Sequence, residues 1–255
     1  MSAISYYGIK TIFIFEIQIY FKEFQFNVIA PLINTLLFVL ILSTLENYYM
    51  SNNESYSYIK FLVPGIIMMV VIQTSFNHLS EVIISMKQTG SFNDFLISPI
   101  SRVEIFISFI LSSIFVCISV CMINLIALSF FVEFQNIDYL NFFYYLIITI
   151  IIFSSIGAIT GFLSYRWDSQ SSISNFIIMP ISFMSGTFFS IESLSDKWKF
   201  FYEFNPFYHL VSGFRNSLIQ NNKLNFVNEI YILIVLFIFF TIAIIVFKKG
   251  YKVIN

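Results

Sequence analysis

The sequence predicts an all-α membrane protein with six transmembrane helices, and three observations lead to that class. Of its 255 residues, 58% are hydrophobic and only 11% are charged, which lies outside the range of soluble domains. Several uninterrupted apolar runs are about 20 residues long, the length that crosses a hydrocarbon core of about 30 Å with every backbone polar group paired inside the segment. The two-residue alternation of a membrane barrel is absent, and a chain of this size holds about six such runs with short connections.

The formal net charge is −1, so no basic patch points to nucleic acid or another polyanion. The first residues mix Phe and Ile with Lys10, Glu16, Lys22 and Glu23. No small-residue cleavage site follows a clean apolar core, so a removable signal peptide is not expected. Cys117 and Cys121 lie one helical turn apart in an apolar run. A disulfide between them is geometrically disfavoured and two thiols alone make a poor metal site, so they read as small packing residues.

Residues 9–25 place Ile9, Phe13, Ile17, Tyr20, Phe21 and Phe24 on one helical face, with Thr11, Gln18, Lys22 and Gln25 on another. That is the pattern of an amphipathic helix lying in the headgroup plane; an extension of the first span is the alternative. The first span covers 26–45 and holds Pro31. Residues 46–60 are polar and rich in Tyr, as at a membrane interface. The second span, 59–79, carries Pro64-Gly65 near its start and Gln73, Asn77 and His78 toward its end. His78 reads as interfacial polarity at a span end rather than as a relay within the membrane.

A polar island follows at 86–104, MKQTGSFNDFLISPISRVE, between two strongly apolar segments. The third span, 103–132, is longer than a bilayer requires and is expected to tilt or protrude. The fourth, 142–164, has Gly157 and Gly161 at i, i+4, which permits close helix approach either within the chain or to a second copy. A fifth span is expected at 173–189, interrupted by Pro180 and Gly186. Residues 190–228 have about the length of two spans but are too polar and aromatic to be either. Asn205-Pro206 breaks any helix there, so two short helices dipping into one membrane face are expected. Such backbone must be buried in protein or line a wet cavity.

The last span, 229–247, is followed at once by Lys248, Lys249 and Lys252, the mark of a cytoplasmic end. With six spans both termini are cytoplasmic. The island and the Arg166 loop are then inside, and 46–60, 133–141 and 190–228 outside.

The segment TGSFNDFLISPISRVEIFIS resembles the stretch between the second and third spans of ABC-2 type export permeases, where a Gly, an apolar pair and a Ser/Thr-Pro-Ile/Val-Ser-Arg turn precede the third helix. MSGTFFSIESLSDKWKFFYEFNPFYHLVSGFRNSLI is similar to the same family's region before the last helix, with its Asn-Pro pair and Gly-Phe-Arg, and FLVPGIIMMVVI also fits. Among its subgroups, the chain is most similar to small stand-alone drug, nodulation-factor and polysaccharide exporters.

The resemblance implies a single ABC-2 type transmembrane domain over 1–255, an integral multi-pass protein of the bacterial cytoplasmic (inner) membrane that pairs with a second copy of itself and with a separate ATPase subunit. ATP and Mg would sit on that subunit; this chain would bind no cofactor or metal and catalyse nothing. In agreement, no GxxxxGK[S/T] phosphate loop is present.

By the same resemblance, 86–102 would be a cytoplasmic coupling helix in a groove of the ATPase. Gly90, Phe92, Asp94, Phe95, Leu96, Ser98, Pro99 and Arg102 would form the contact, with Phe92, Phe95 and Leu96 as apolar anchors, Asp94 and Arg102 as polar partners and Pro99 as the stop before the third span. Residues 9–25 would be the interface helix. Asn205, Pro206, Gly213 and Arg215 would hinge the outward re-entrant helices in 190–228. Residues of the chain that could line a path (Asn34, Gln73, Asn124, Asn175) are too few to tell an amphipathic drug from a lipid-linked glycan. A secondary transporter or channel, one alternative, normally needs paired intramembrane charges or inverted repeats, and the sequence shows neither; for a membrane scaffold or an enzyme acting at the interface, the other, no constellation of His, Asp, Ser or Cys at one membrane depth supports catalysis.

Overall fold

A computed structural model of the chain describes residues 6–49, 58–92, 94, 98, 100–134, 137–189, 195–219 and 226–249; at 45–49, 196, 197, 201, 226 and 227 it describes the backbone alone. Among these residues the chain is helical, without a strand. Helix α1 covers Tyr6–Lys22, and a π turn at Gln25–Ile29 leads into α2, Ala30–Tyr49. Then come α3 (Tyr58–Thr89), α4 (Arg102–Leu128) and α5 (Tyr139–Leu163). Next, α6 (Trp167–Ile173) runs through a π turn, Ser174–Ile178, into α7 (Met179–Phe183). Two short helices, α8 (Asp196–Glu203) and α9 (Pro206–Ile219), precede α10 (Phe226–Lys249).

Five described helical stretches are long and apolar enough to cross a membrane: Gln25–Thr44, Tyr58–Thr89, Arg102–Leu128, Tyr139–Leu163 and Asn228–Lys249. The expected span at 173–189 takes a different form. Its helix starts earlier, at Trp167, is widened by the π turn, and gives way after Phe183 to turns that include Gly186 at φ 75°.

Helices α3 and α5 form the centre. Helix α3 packs on α5, α4, α9 and α2, and α5 also packs on α10, α9 and α4. The small residues of α5 set how near the two come: a Cβ at Gly157 would stand 2.3 Å from the carbonyl oxygen of Phe76, and one at Gly161 3.0 Å from that of Ser80. The glycine pair therefore serves packing within the chain. Ser154 Oγ adds a bond to the Ser75 carbonyl (3.3 Å) and a hydrogen bond with the Ser113 hydroxyl of α4. Phe76, Leu146, Phe153, Leu210 and Phe214 fill the main core, and a second core of Phe92, Phe106, Phe109, Phe162 and Phe247 lies at the far end of α3.

Three expectations change. Helix α3 does not stop at 79 but continues to Thr89, because the polar residues there meet partners from α6. Gln170 Nε2 donates to Asn77 Oδ1 (3.0 Å) and Ser80 Oγ (3.1 Å), and Ser174 Oγ also donates to Asn77 Oδ1 (3.0 Å). His78 consequently lies well inside a helix, 3.4 Å from Ser112 Oγ, rather than at a span end. Asn124, considered for a path, is fully buried: its amide donates to the Val120 carbonyl (2.9 Å) and its Oδ1 accepts from Thr35 Oγ1 (2.8 Å), tying α4 to α2.

The third change concerns α1. Its buried stripe is Gly8, Ile12, Glu16 and Tyr20, set about one residue round from the apolar face that periodicity selects, because the helix packs on α4. Gly8 makes room for Ile100, since a Cβ there would stand 3.0 Å from that side chain, and the rings of Phe13 and Tyr20 meet Phe115 edge-on. The stripe therefore carries a carboxyl group, Glu16, that is 2% exposed. Burial pushes that carboxyl up to about 7, since the charged form has lost its water.

Two expectations follow from this packing. Gly157→Val forces a side chain against a main-chain oxygen, so the protein in detergent should lose about 1–3 kcal/mol and melt at a lower temperature; native stability would mean that α3 and α5 do not meet this way. For Glu16, the docked state holds the proton more tightly than the undocked state. Its contribution is thus fully present below pH 4.5 and is lost as pH rises to about 7, by up to about 3 kcal/mol. The protection of α1 amides against hydrogen exchange, taken relative to the intrinsic rate at each pH, should fall across that window, and Glu16→Gln should remove the fall.

Candidate functional site

The island overlaps the last turn of α3. Thr89 is the last helical residue and Gly90 follows at φ 75°, a conformation that costs other residues roughly 1–2 kcal/mol and commonly closes helices. A Cβ at Gly90 would meet nothing within 4 Å, so backbone conformation rather than space demands glycine. Phe92 then turns inward. It is 4% exposed, with its ring edge-on to Phe162 (5.8 Å) and tilted against Phe247 (6.0 Å), so it contacts the ends of α5 and α10.

Asp94 is exposed, and its carbonyl accepts from the Ser98 N–H at 3.1 Å, the spacing of one helical turn. The expected contacts Phe95, Leu96 and Pro99 lie outside the described residues. Helix α4 starts with a reciprocal cap at Ser101. The Glu104 N–H donates to Ser101 Oγ (3.3 Å), and the Ser101 N–H donates to Glu104 Oε2 (2.7 Å). The Ser-x-x-Glu spacing of 101–104 signals such a box, so this stop was readable beside Pro99.

Two cations near the ends of the island both bond to the ends of other helices. Lys87, in the last turn of α3, donates from Nζ to the carbonyls of Gly161 (3.0 Å), Phe162 (2.9 Å) and Ser164 (2.7 Å), the closing carbonyls of α5. Its ammonium lies 5.4 Å from the Tyr165 ring. Arg102, the first residue of α4, donates from Nη1 to the carbonyl of Lys248 at the end of α10. The last carbonyls of a helix have no partner within it and carry the negative end of its dipole, so a cation is the group that suits them. Sequence reasoning placed Lys87 in the island but gave it no role, because its partners are 74 to 77 residues away.

The second cluster is at the other end of α3. Arg215 of α9 is 6% exposed; its Nε donates to the Phe61 carbonyl (2.9 Å) and its Nη2 to those of Gly186 (2.7 Å) and Thr187 (3.2 Å). The guanidinium lies over the Phe61 ring, 3.8 Å from the centroid, an arrangement that suits a planar cation. Gly65 leaves the room, since a Cβ there would be 2.8 Å from Arg215 Nη2. Tyr58 Oη adds a bond to the Phe188 carbonyl (2.6 Å). These contacts join α9, the start of α3 and the turn after α7.

Asn205 and Pro206 separate α8 from α9. Asn205 Oδ1 accepts from the Phe207 N–H (3.0 Å) and Pro206 opens the helix, the positions that suit an amide and a proline at a helix start. Gly213 sits over Tyr145 of α5, where a Cβ would be 2.1 Å from the ring, and the Tyr145 hydroxyl donates to Glu229 Oε1 of α10. The expected residues thus fall into two groups at opposite ends of α3: Gly90, Phe92, Asp94, Ser98 and Arg102 at one, and Asn205, Pro206, Gly213 and Arg215 at the other.

Comparison with known proteins bears on both groups. Residues 7–219 match the ABC-2 type transporter family. The chain is 26% identical over 237 residues to proteins named inner membrane transport permease YadH from Escherichia coli K12 and from Shigella flexneri, with 91% of each chain covered. The matched stretch runs from α1 through α9 and takes in the island with its two cations and the Arg215 cluster, and on this match the chain belongs to the ABC-2 type transporter family.

Proposed function

We propose that the chain is the membrane permease subunit of an ATP-binding-cassette exporter. Two copies form the translocation path in the bacterial inner membrane, and separate ATPase subunits, which bind ATP and Mg, supply the energy. Six crossings with both termini in the cytoplasm are the topology of this reading, and the helical run α6–α7 is the fifth crossing. The observation that carries it is the family match over residues 7–219, which takes in the island. The name of the Escherichia coli relative, an inner membrane transport permease, supports the membrane and the activity.

In this reading, 86–102 is the coupling segment that fits a groove of the ATPase, with Asp94 outward, Phe95 and Leu96 as apolar contacts and Phe92 as the anchor that holds the segment to its own bundle. Helix α1 is the interface helix. ATP-driven closure of the ATPases displaces the segment, and stiff helices carry that displacement across the membrane. Helices α8 and α9 are the re-entrant pair on the far side, hinged at Asn205-Pro206. Lipid and the second copy cover the apolar faces that α2 (Ile33, Leu37, Leu40) and α10 (Leu233, Ile234, Phe237) leave exposed. The substrate is an amphipathic or a glycan- or lipid-type molecule moved out of the cytoplasm.

The purified chain should bring down an ATP-binding-cassette ATPase encoded beside it, and Phe95→Asp should release that subunit or uncouple its ATP hydrolysis from export. Transport by the chain alone, driven by a proton gradient, would overturn the proposal. At the other end, Arg215→Met removes the donor from the buried carbonyls of Gly186 and Thr187 and should cost at least about 2 kcal/mol, read as a lower melting temperature in detergent. Arg215→Lys keeps the charge but not the planar fork and should recover only part of that loss.

A further inference from the structure

We propose that the island drives four helices rather than two, with Lys87, Arg102 and Phe92 as positioning residues that divide its movement among α3, α4, α5 and α10. The island is covalently continuous only with α3 and α4. Lys87 adds α5, through three hydrogen bonds of 2.7–3.0 Å to its closing carbonyls. Arg102 adds α10, through the Lys248 carbonyl. Phe92 stands between the two, against Phe162 of α5 and Phe247 of α10, and these two rings are themselves 5.1 Å apart.

The bonds suit this task because of what they join. A cation on a helix C-terminus acts on the end of a stiff rod, so pulling on it translates the whole helix, whereas a contact midway along would bend or roll it. The packing behind it is close: Phe92, Phe106, Phe162 and Phe247 are each at most 4% exposed, and tightly packed interiors transmit displacement rather than absorb it. Gly90 stands clear of that packing, with open space around its Cβ position. Lys87 and Phe92 therefore hold on either side of the turn that Gly90 makes. A push on the island reaches α5 and α10 at the same time as α3 and α4, and the bundle end moves as one body.

The inference rests on reading 86–102 as the ATPase contact, and the test separates the two. The full chain is purified with its ATPase subunit in nanodiscs and followed by hydrogen exchange, without nucleotide and with ATP and vanadate. In the native complex and in Lys87→Arg, nucleotide should change exchange in the island and also at 159–166 and 244–249. In Lys87→Met the island and 244–249 should still respond while the response at 159–166 is lost; in Arg102→Met the loss should fall on 244–249 instead. Retention of the ATPase and native exchange in the middle of α3 show that the variants are folded.

A response at 159–166 that survives Lys87→Met unchanged overturns the role given to Lys87, and a native complex whose island responds while 159–166 and 244–249 do not overturns the four-helix inference; either result leaves the coupling segment standing. An island that does not respond to nucleotide even in the native complex overturns both.

Discussion

A carbonyl at the end of a helix has no partner in that helix, and the chain meets this constraint with cations. Lys87 serves the end of α5 and Arg102 the end of α10, while Arg215 bonds to the two carbonyls of the 186–187 turn and to that of Phe61 in the first turn of α3. All three spend their charge on main-chain oxygens of another element. A cation used in this way fixes one helix end against another without placing a second charge in an apolar setting, which pairing with a carboxylate would require.

Between the cationic ends, close backbone approach holds the bundle. Gly157 on the Phe76 carbonyl, Gly161 on the Ser80 carbonyl and Gly65 beneath Arg215 are places where a single methyl group would separate the helices. Lipid tails are as apolar as leucine, so burial alone gives little net drive between membrane helices, and fit and hydrogen bonding must supply it. The hydroxyl and amide bonds of Ser154, Gln170 and Ser174, and that of Thr35 to Asn124, supply the second of these around α3 and α4.

What could be read from the sequence follows from range. Apolar runs report themselves, so the crossings at α2, α3, α4, α5 and α10 were legible; so were the break at Asn205-Pro206 and the distinct character of the island, because both are local. The length of α3 was not, since Asn77 and Ser80 look like a polar exit until Gln170 and Ser174 are seen to bond to them. The stripe of α1 was misplaced for a similar reason: hydrophobicity favours Phe21 and Phe24, whereas packing on α4 selects Gly8 and accepts Glu16. The Ser101–Glu104 box that starts α4 was readable from its spacing. The partners of Lys87, Arg102 and Arg215 follow from tertiary structure, and no local pattern announces them.

The sequence separation of the bonds around α3 bears on how the protein is made. Asn77, Ser80 and Lys87 find their partners among residues 161–174, between 74 and 97 positions further along. A chain inserted from its N-terminus places α3 in the bilayer well before those partners have left the ribosome. Until α5 and α6 arrive, the Asn77 amide and the Lys87 ammonium lack the partners they have in the finished bundle. The docking of α3 is therefore completed late, by segments made after it, and a chain cut before α5 would lack this whole set of contacts.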